Sequence, residues 1–456
     1  MNGQEEKKRQ LIADGLKSIW FPFTQMQEFT PDDVLVIADG KGALLRDVDG
    51  REYIDGVSSL WTNVHGHRKE QLDRAIKDQV DRIAHSTLLG LAHEPAIECA
   101  KKLLEIVPKG LTRVFYSESG STSVEIALKM AFQYQKQAAG GDPRKTRFIS
   151  FTNAYHGDTL GAVSVGGIDL FHAVYRELLF PTLKAESPYC YRCVFGSSYP
   201  GCRFDCLRQL ENLLATHAHE LAALIIEPLV QGAAGILVQP PGYLKRVREL
   251  CTQYGVLMIA DEVAVGFGKT GKMFACEQEG VTPDIMALGK GLSGGYLPLA
   301  ATVAMEEIYN GFLGRFEDSR TFFHGHTYTG NPLACAAAVA NLEIFAEERV
   351  VESLAGKIER LTRALEPIAV LDHVGEIRQR GFMVGIELVA DKATKESYPP
   401  AGRIGNRVIM EARKRGLIIR PLGDVIVLMP PLCITNEEIE RLCEITLDSI
   451  RAVVGA

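Results

Sequence analysis

The 456-residue sequence has no apolar run long enough to span a bilayer. It also lacks a basic excess: 50 Lys and Arg stand against 57 Asp and Glu, a net charge of −7. The first absence argues against a helical membrane anchor, and the second against a nucleic acid or an anionic membrane surface as partner. The opening stretch MNGQEEKKRQLIADG has no apolar core of the kind a signal peptide carries, so a cytoplasmic location is expected. Internal repeats and low-complexity linkers are missing. His65, His67, His324 and His326 show none of the acid-and-histidine helix spacing that marks a metal site. What remains is a soluble globular composition, 46% hydrophobic and 23% charged. The chain is too long for one simple core, so two domains, or one large domain with a smaller one, are expected.

Six of the ten cysteines, Cys99, Cys251, Cys276, Cys335, Cys433 and Cys443, are scattered through apolar segments and read as small buried hydrophobes. The other four, Cys190, Cys193, Cys202 and Cys206, cluster in PYCYRCVFGSSYPGCRFDC. Two close pairs raise a zinc site. The wider second pair and the short gap between the pairs favour reduced thiols on a surface excursion, and no metal is assigned.

Along the chain, GALLRDV and REYIDG flank Asp49-Gly50, a hairpin signal. From Lys69 to Val107 the apolar spacing becomes helical, as in QLDRAIKDQVDRIA and AIECAKKLLEIV. Short apolar runs then alternate with helices to about residue 345. The predicted strands are 114–117, 148–151, 222–227, 256–260 and 285–288. Such runs, separated by helices, predict an α/β fold with a mainly parallel central sheet covered on both faces. Past 345 a long helix (VVESLAGKIERLTRALEPI) opens a second unit. The expected division is an N-terminal segment, 1–68, that joins the small domain, a large domain over 69–345, and a small α+β domain over 346–456.

Three segments carry chemistry. In SESGSTSVEIALKMA a strand runs into Gly120-Ser121 and a helix begins, with capping-box spacing between Thr122 and Glu125. Backbone N–H groups at a helix start favour phosphate, although many such starts bind nothing. In VLMIADEVAVGFGKTG a buried strand ends at Asp261-Glu262, where an open α/β sheet places its site. Asp261 suits a carboxylate beside a protonated pyridine nitrogen, or it is a plain polar cap. In PDIMALGKGLSGGYLPLA another strand leads to Lys290, among glycines and without a nearby acid. It is an imine-forming lysine or a loop lysine. Together the three suit pyridoxal 5′-phosphate (PLP).

With the stretches WFPFTQM, SSLWTNVHGH, SGSTSVEIALKMA, NAYHGDTLGAVSV, IIEPLVQGAAGI, DEVAVGFGKTGKMFACE, LGKGLSGGYLPLA, HGHTYTGNPLACAAA and IIRPLGDVIVLMPP, the chain resembles the class-III (ω) PLP-dependent aminotransferases over nearly its whole length. The resemblance implies PLP fold type I, like aspartate aminotransferase, and is greatest to the branch that converts 8-amino-7-oxononanoate to 7,8-diaminononanoate in biotin biosynthesis. It further implies that Lys290 forms the Schiff base and shuttles the proton, that Asp261 binds the pyridine nitrogen, that Tyr155 stacks on the ring, and that Gly120 and Ser121 bind the phosphate. His326 and Thr327 would complete the phosphate site from a neighbouring subunit, hence a homodimer with shared active sites. Gly325 would line the substrate channel, Arg420 would hold the acceptor's carboxylate, and Asp158 would approach its amino group. Phe23, Leu60 and Trp61 would border the substrate. Members that use S-adenosylmethionine carry paired tryptophans at the Leu60-Trp61 position and a tyrosine at Phe23, so L-lysine stands beside S-adenosylmethionine as the expected donor. Other ω-amino substrates (a diamine, a β-alanine-like acid, 4-aminobutyrate), a PLP isomerase or decarboxylase, and a non-enzymatic binding protein on the same fold are the alternatives.

Overall fold

The computed structural model describes residues 3–197 and 199–455; Met1, Asn2, Ala456 and Ser198 of the cysteine excursion lie outside the described residues. The alternating strands and helices build one seven-stranded sheet. Its spatial order is Leu111–Ser117, Ala300–Met305, Ile285–Leu288, Leu257–Asp261, Leu221–Ile226, Arg147–Phe151, Leu183–Ala185. Every neighbouring pair is parallel except the two made by Ala300–Met305, which runs against both its neighbours. The near-continuous apolar runs have a simple cause: all six residues of Leu221–Ile226 and all four of Ile285–Leu288 are buried. Successive residues serve opposite faces, as the two-residue strand period requires. Ile225, Ile259 and Ala287 pack with Val124, Ala127 and Ala131 of the Gly120–Gln137 helix, whereas Leu224, Met258 and Met286 join the core that holds Val247 and Leu250.

The helical stretch after Lys69 divides into Glu70–Arg82 and Glu94–Ile106. The second begins at His93, whose ring nitrogen accepts from Ala96 N at 3.2 Å. Two strands of the central sheet had no counterpart in the sequence reading, Leu183–Ala185 and Ala300–Met305. The second is built largely of small residues, which carry little apolar contrast.

Two four-stranded sheets and a two-stranded ribbon, Val230–Gln231 with Leu237–Val238, complete the fold. The hairpin around Gly50 pairs Leu44–Asp47 with Glu52–Asp55, and Ile37–Lys41 adds an outer strand. Leu417–Ile418, from far along the chain, adds parallel to Glu52–Asp55. Val374–Arg380, Met383–Leu388, Val425–Leu428 and Arg420–Leu422 form an antiparallel sheet in that order. The long helix Val350–Ala369 and the last helix Asn436–Val454 pack against each other beside it. The Arg420 strand therefore lies one residue beyond the segment that pairs with the N-terminal hairpin.

Candidate active site

Four parallel strands end at one edge, and the segment that follows each contributes to a single cavity of about 190 Å³. Its walls hold Tyr155, Glu227, Asp261 and Lys290 from those ends, Gly120 and Ser121 from the helix start, and Phe23, Leu60, Trp61 and Arg420 from the two ends of the chain. Of the residues singled out in the sequence, Asp158 is at the rim, where its carboxylate accepts from Tyr155 Oη at 2.9 Å. Gly325, His326 and Thr327 do not reach the cavity of this chain. Thr327 is exposed, a methyl on Gly325 would meet nothing within 4 Å, and His326 Nδ1 lies 2.6 Å from Glu118 Oε2.

The anion-ready helix start differs from expectation in its cap. Ser119, not Thr122, is the N-cap: its Oγ accepts from Thr122 N, and Thr122 Oγ1 accepts in return from Ser119 N. Glu125 is engaged elsewhere, accepting from Gly161 N at 2.7 Å and Ala162 N at 3.3 Å. This frees Gly120 and Ser121 to face the cavity at the dipole's positive end. Gly120 is required by space, since a Cβ there would lie 2.4 Å from Val263 Cγ1.

Asp261 is buried and held on both oxygens, by Val263 N at 3.1 Å and His156 Nδ1 at 2.7 Å. A carboxylate can only accept, so His156 donates through Nδ1. Its buried Nε2 has no partner among the described residues. Burial pushes the Lys290 amine below the usual lysine range, against the pull of Asp261 and Glu227. Lys290 Nζ sits 4.8 Å from the centroid of the Trp61 ring. Burial and the Asp158 carboxylate raise the Tyr155 hydroxyl well above its ordinary value. Arg420 lies 6.0 Å from the Phe23 ring and, among the described residues, makes no ion pair. Burial lowers its pKa, and Tyr155 opposes that shift.

Two titratable residues of the cavity were not assigned a role from the sequence. Glu227 is buried and accepts from Tyr155 N at 3.1 Å and Gly232 N at 2.8 Å. Burial first, and then Asp261, push its pKa up to about 7. It follows six apolar residues, the same pattern that marked Asp261. His156, which follows Tyr155 in NAYHGDTLGAVSV, is the second, and it orients Asp261.

The wall contributed by Ser58–Trp61 is unusual. All four residues lie at positive φ (50°, 51°, 86° and 68°) and none is glycine. Each left-handed residue costs about 1–2 kcal/mol. The segment's conformation is therefore imposed from outside it.

The residues match the class-III aminotransferase family, described as "Aminotransferase class-III", over residues 28–450. The chain belongs to the class-III aminotransferases. It is 59% identical over 435 residues to adenosylmethionine-8-amino-7-oxononanoate aminotransferase of Nitratidesulfovibrio vulgaris, covering 95% of this chain and 80% of that one. The enzyme of the same name from Geobacter sulfurreducens is 55% identical, with 96% and 97% covered. Among solved structures, that aminotransferase from Methanocaldococcus jannaschii superimposes with a TM-score of 0.93 at 47% identity, over 98% and 99% of the two chains. A PLP-bound amine transaminase from an uncultivated Pseudomonas species gives 0.89 at 38% identity, over 96% and 98%.

The cofactor of this aminotransferase is PLP, and the cavity fits it. The helix start and Ser121 suit its phosphate, anchored Asp261 suits its ring nitrogen, and the Lys290 amine suits its carbonyl carbon. The four clustered cysteines line a separate small pocket together with Ser187, Asp205 and Pro240. Among the described residues no three His, Cys, Asp or Glu side chains are set to hold a metal.

Proposed function

We propose that this aminotransferase transfers an amino group to 8-amino-7-oxononanoate, giving the 7,8-diaminononanoate of biotin biosynthesis, with S-adenosylmethionine as donor. The observation that carries the reading is the Arg420 guanidinium, without an ion-pair partner among the described residues, in the wall of the cavity that also holds Lys290. A carboxylate-ended chain whose ketone must reach Lys290 has an anchor there, and the names of the relatives specify such an acid. L-lysine is the second reading for the donor, favoured by Leu60 and Phe23 in the cavity wall.

PLP, when bound, carries the amino group between the two substrates and accepts the electron pair left at the substrate carbon. The remaining work falls to the chain. Lys290 Nζ takes the proton from the donor carbon and later delivers one to the acceptor carbon. Its lowered pKa supplies the free amine that proton removal needs. Asp261, fixed by His156 and Val263 N, presents a negative charge at the base of the cavity. Tyr155, with its backbone tied to Glu227 and its hydroxyl to Asp158, would hold the cofactor ring from one side. Arg420 orients the acceptor by a two-pronged contact with its carboxylate. Phe23, Leu60 and Trp61 exclude water around the apolar chain.

In the same reading the enzyme is a homodimer with shared active sites. Exposed Phe323 and Tyr328 flank Gly325, His326 and Thr327, which do not line their own cavity, and this supports their service to a partner's site. The proposed division is 1–68, 69–345 and 346–456, supported by the pairing of Leu417–Ile418 with the N-terminal hairpin. Among the described residues no helix is long and apolar enough to cross a membrane. All ten cysteines are unpaired, the habit of a reducing compartment, which supports a cytoplasmic location. The decisive assay incubates the enzyme with 8-amino-7-oxononanoate and, separately, S-adenosylmethionine, L-lysine, glutamate or alanine, and detects 7,8-diaminononanoate by mass. Product with none of these donors overturns the reading.

A further inference from the structure

We infer that Asp55, which lies outside the cavity, is a positioning residue for the substrate wall: its buried carboxylate clamps the left-handed turn Ser58–Trp61 and so sets where Leu60 and Trp61 stand. The inference rests on the proposed reading that these two side chains border the substrate. It begins from the four consecutive positive-φ residues, none of them glycine. Strain of this kind persists only where surrounding contacts over-determine it, and here it stands in a wall of the active site.

The contacts are specific. Asp55 ends the Glu52–Asp55 strand and is fully buried. Its Oδ1 accepts from Ser59 N at 2.9 Å, and its Oδ2 accepts from Ser59 Oγ at 2.7 Å and from His67 Nε2 at 3.0 Å. Burial alone would raise the Asp55 pKa; the hydrogen bonds from His67 and Ser59 outweigh it and hold the group below its ordinary value. His67 is itself oriented, since Asn63 Nδ2 donates to its Nδ1 at 3.2 Å. That leaves Nε2 as the donor to Asp55.

On the other side of the turn, Ser58 Oγ donates to Met429 O at 2.6 Å and accepts from Lys269 Nζ at 2.7 Å. Ser58 is thus pinned to the far end of the chain, and Ser59, the residue immediately before Leu60, is pinned by Asp55. A neutral amide at 55 keeps the shape but turns an N–H group toward donors. At least one of the three contacts is lost, and the turn can relax toward ordinary backbone angles.

The test uses Asp55→Asn and Ser59→Ala in the full-length protein. The chain has two tryptophans, and Trp20 is 87% exposed while Trp61 is 6% exposed. In a Trp20→Phe background, Trp61 emission reports the turn directly, without substrate or turnover. Asp55→Asn should shift that emission to the red and increase its quenching by acrylamide. It should also raise the acceptor KM about ten-fold, with kcat and the bound cofactor's absorption band changed less than about two-fold. Ser59→Ala, an exposed position that spares the core, should act in the same direction by about three-fold, and it decides the matter if Asp55→Asn fails to fold. Unchanged Trp61 emission with unchanged KM overturns the inference. So does an equal loss of kcat, KM and cofactor retention, which would mark general support of the fold. A Leu60→Ala control separates the two ideas. If it leaves the KM of both substrates unchanged, the substrate-wall reading fails while Trp61 emission still reports on Asp55.

Discussion

Truncation of Arg420 to alanine should damage one half of the reaction more than the other. The guanidinium is half-buried in the cavity wall and has no carboxylate partner within the described chain, so no internal ion pair compensates for its desolvation. Removing one member of a desolvated charge pair costs roughly 2–5 kcal/mol. Arg420 is not fully enclosed, and solvent screening trims the upper end to about 4 kcal/mol. The loss in acceptor kcat/KM is then roughly 30-fold to 1,000-fold. Arg420→Lys keeps the charge but not the planar fork, and should recover only part of that loss. The visible absorption of bound cofactor should not change, because the proposed partner of Arg420 is the acceptor's carboxylate and not the cofactor. Stopped-flow absorbance, run first with donor alone and then with acceptor alone, separates the halves. A loss of equal size in both halves refutes the reasoning, because the residue would then serve both substrates or the fold. No loss with 8-amino-7-oxononanoate refutes the assigned acceptor.

Three further outcomes are expected. Lys290→Ala should lower turnover by at least roughly 10³-fold while the protein still folds; borohydride reduction followed by peptide mapping should label the wild type at Lys290 and leave the variant unlabelled, and near-normal turnover would remove Lys290 from the mechanism. Gly120→Ala puts a methyl 2.4 Å from Val263 Cγ1, and cofactor titration into the apoprotein should show affinity at least about ten-fold weaker, an unchanged value counting against the phosphate cradle. Glu227, raised by burial to about 7 from an ordinary 4.5, keeps a proton in the folded state that the unfolded chain has released; its contribution to stability is therefore full below about 4.5 and is lost as pH rises through about 7, and Glu227→Gln should flatten that part of the pH profile in urea unfolding, whereas parallel profiles would show that Glu227 does not titrate there.

The part of this site that could be read from sequence is the part made by local pattern. Asp261 and Lys290 each stand just after an apolar run, and the parallel sheet carries both to one edge. Glu227 ends a run in the same way and was passed over as a site residue, although the signal was present. Arg420 is different. Nothing within IIRPLGD marks it, since its place depends on a short strand pairing with Val425–Leu428 and on the neighbouring Leu417–Ile418 joining the N-terminal hairpin. Only resemblance to a family could single it out. The helix cap was ambiguous for a local reason: SESGSTS offers several hydroxyls in succession, and Glu125 is drawn away to Gly161 N.

The Ser58–Trp61 turn marks where local reasoning ends. A left-handed backbone is ordinarily announced by glycine or asparagine, and SSLW contains neither. Local propensity argues against the conformation at all four residues, and the conformation exists because Asp55, Met429 and Lys269 hold Ser58 and Ser59. Those partners come from the N-terminal hairpin, the last third of the chain and the segment after Asp261. A pocket wall assembled this way cannot form before the distant parts of the chain have met. Its shape therefore depends on residues that never touch a ligand. Natural chains depart from local consistency mostly at functional or strained positions. In this chain the departure coincides with Leu60, where it also departs from the paired tryptophans expected of an S-adenosylmethionine-using member, and with Trp61, which it keeps. Where Leu60 and Trp61 stand is thus a property of the turn as a whole, of its backbone and the buried carboxylate behind it, as much as of the two side chains it presents.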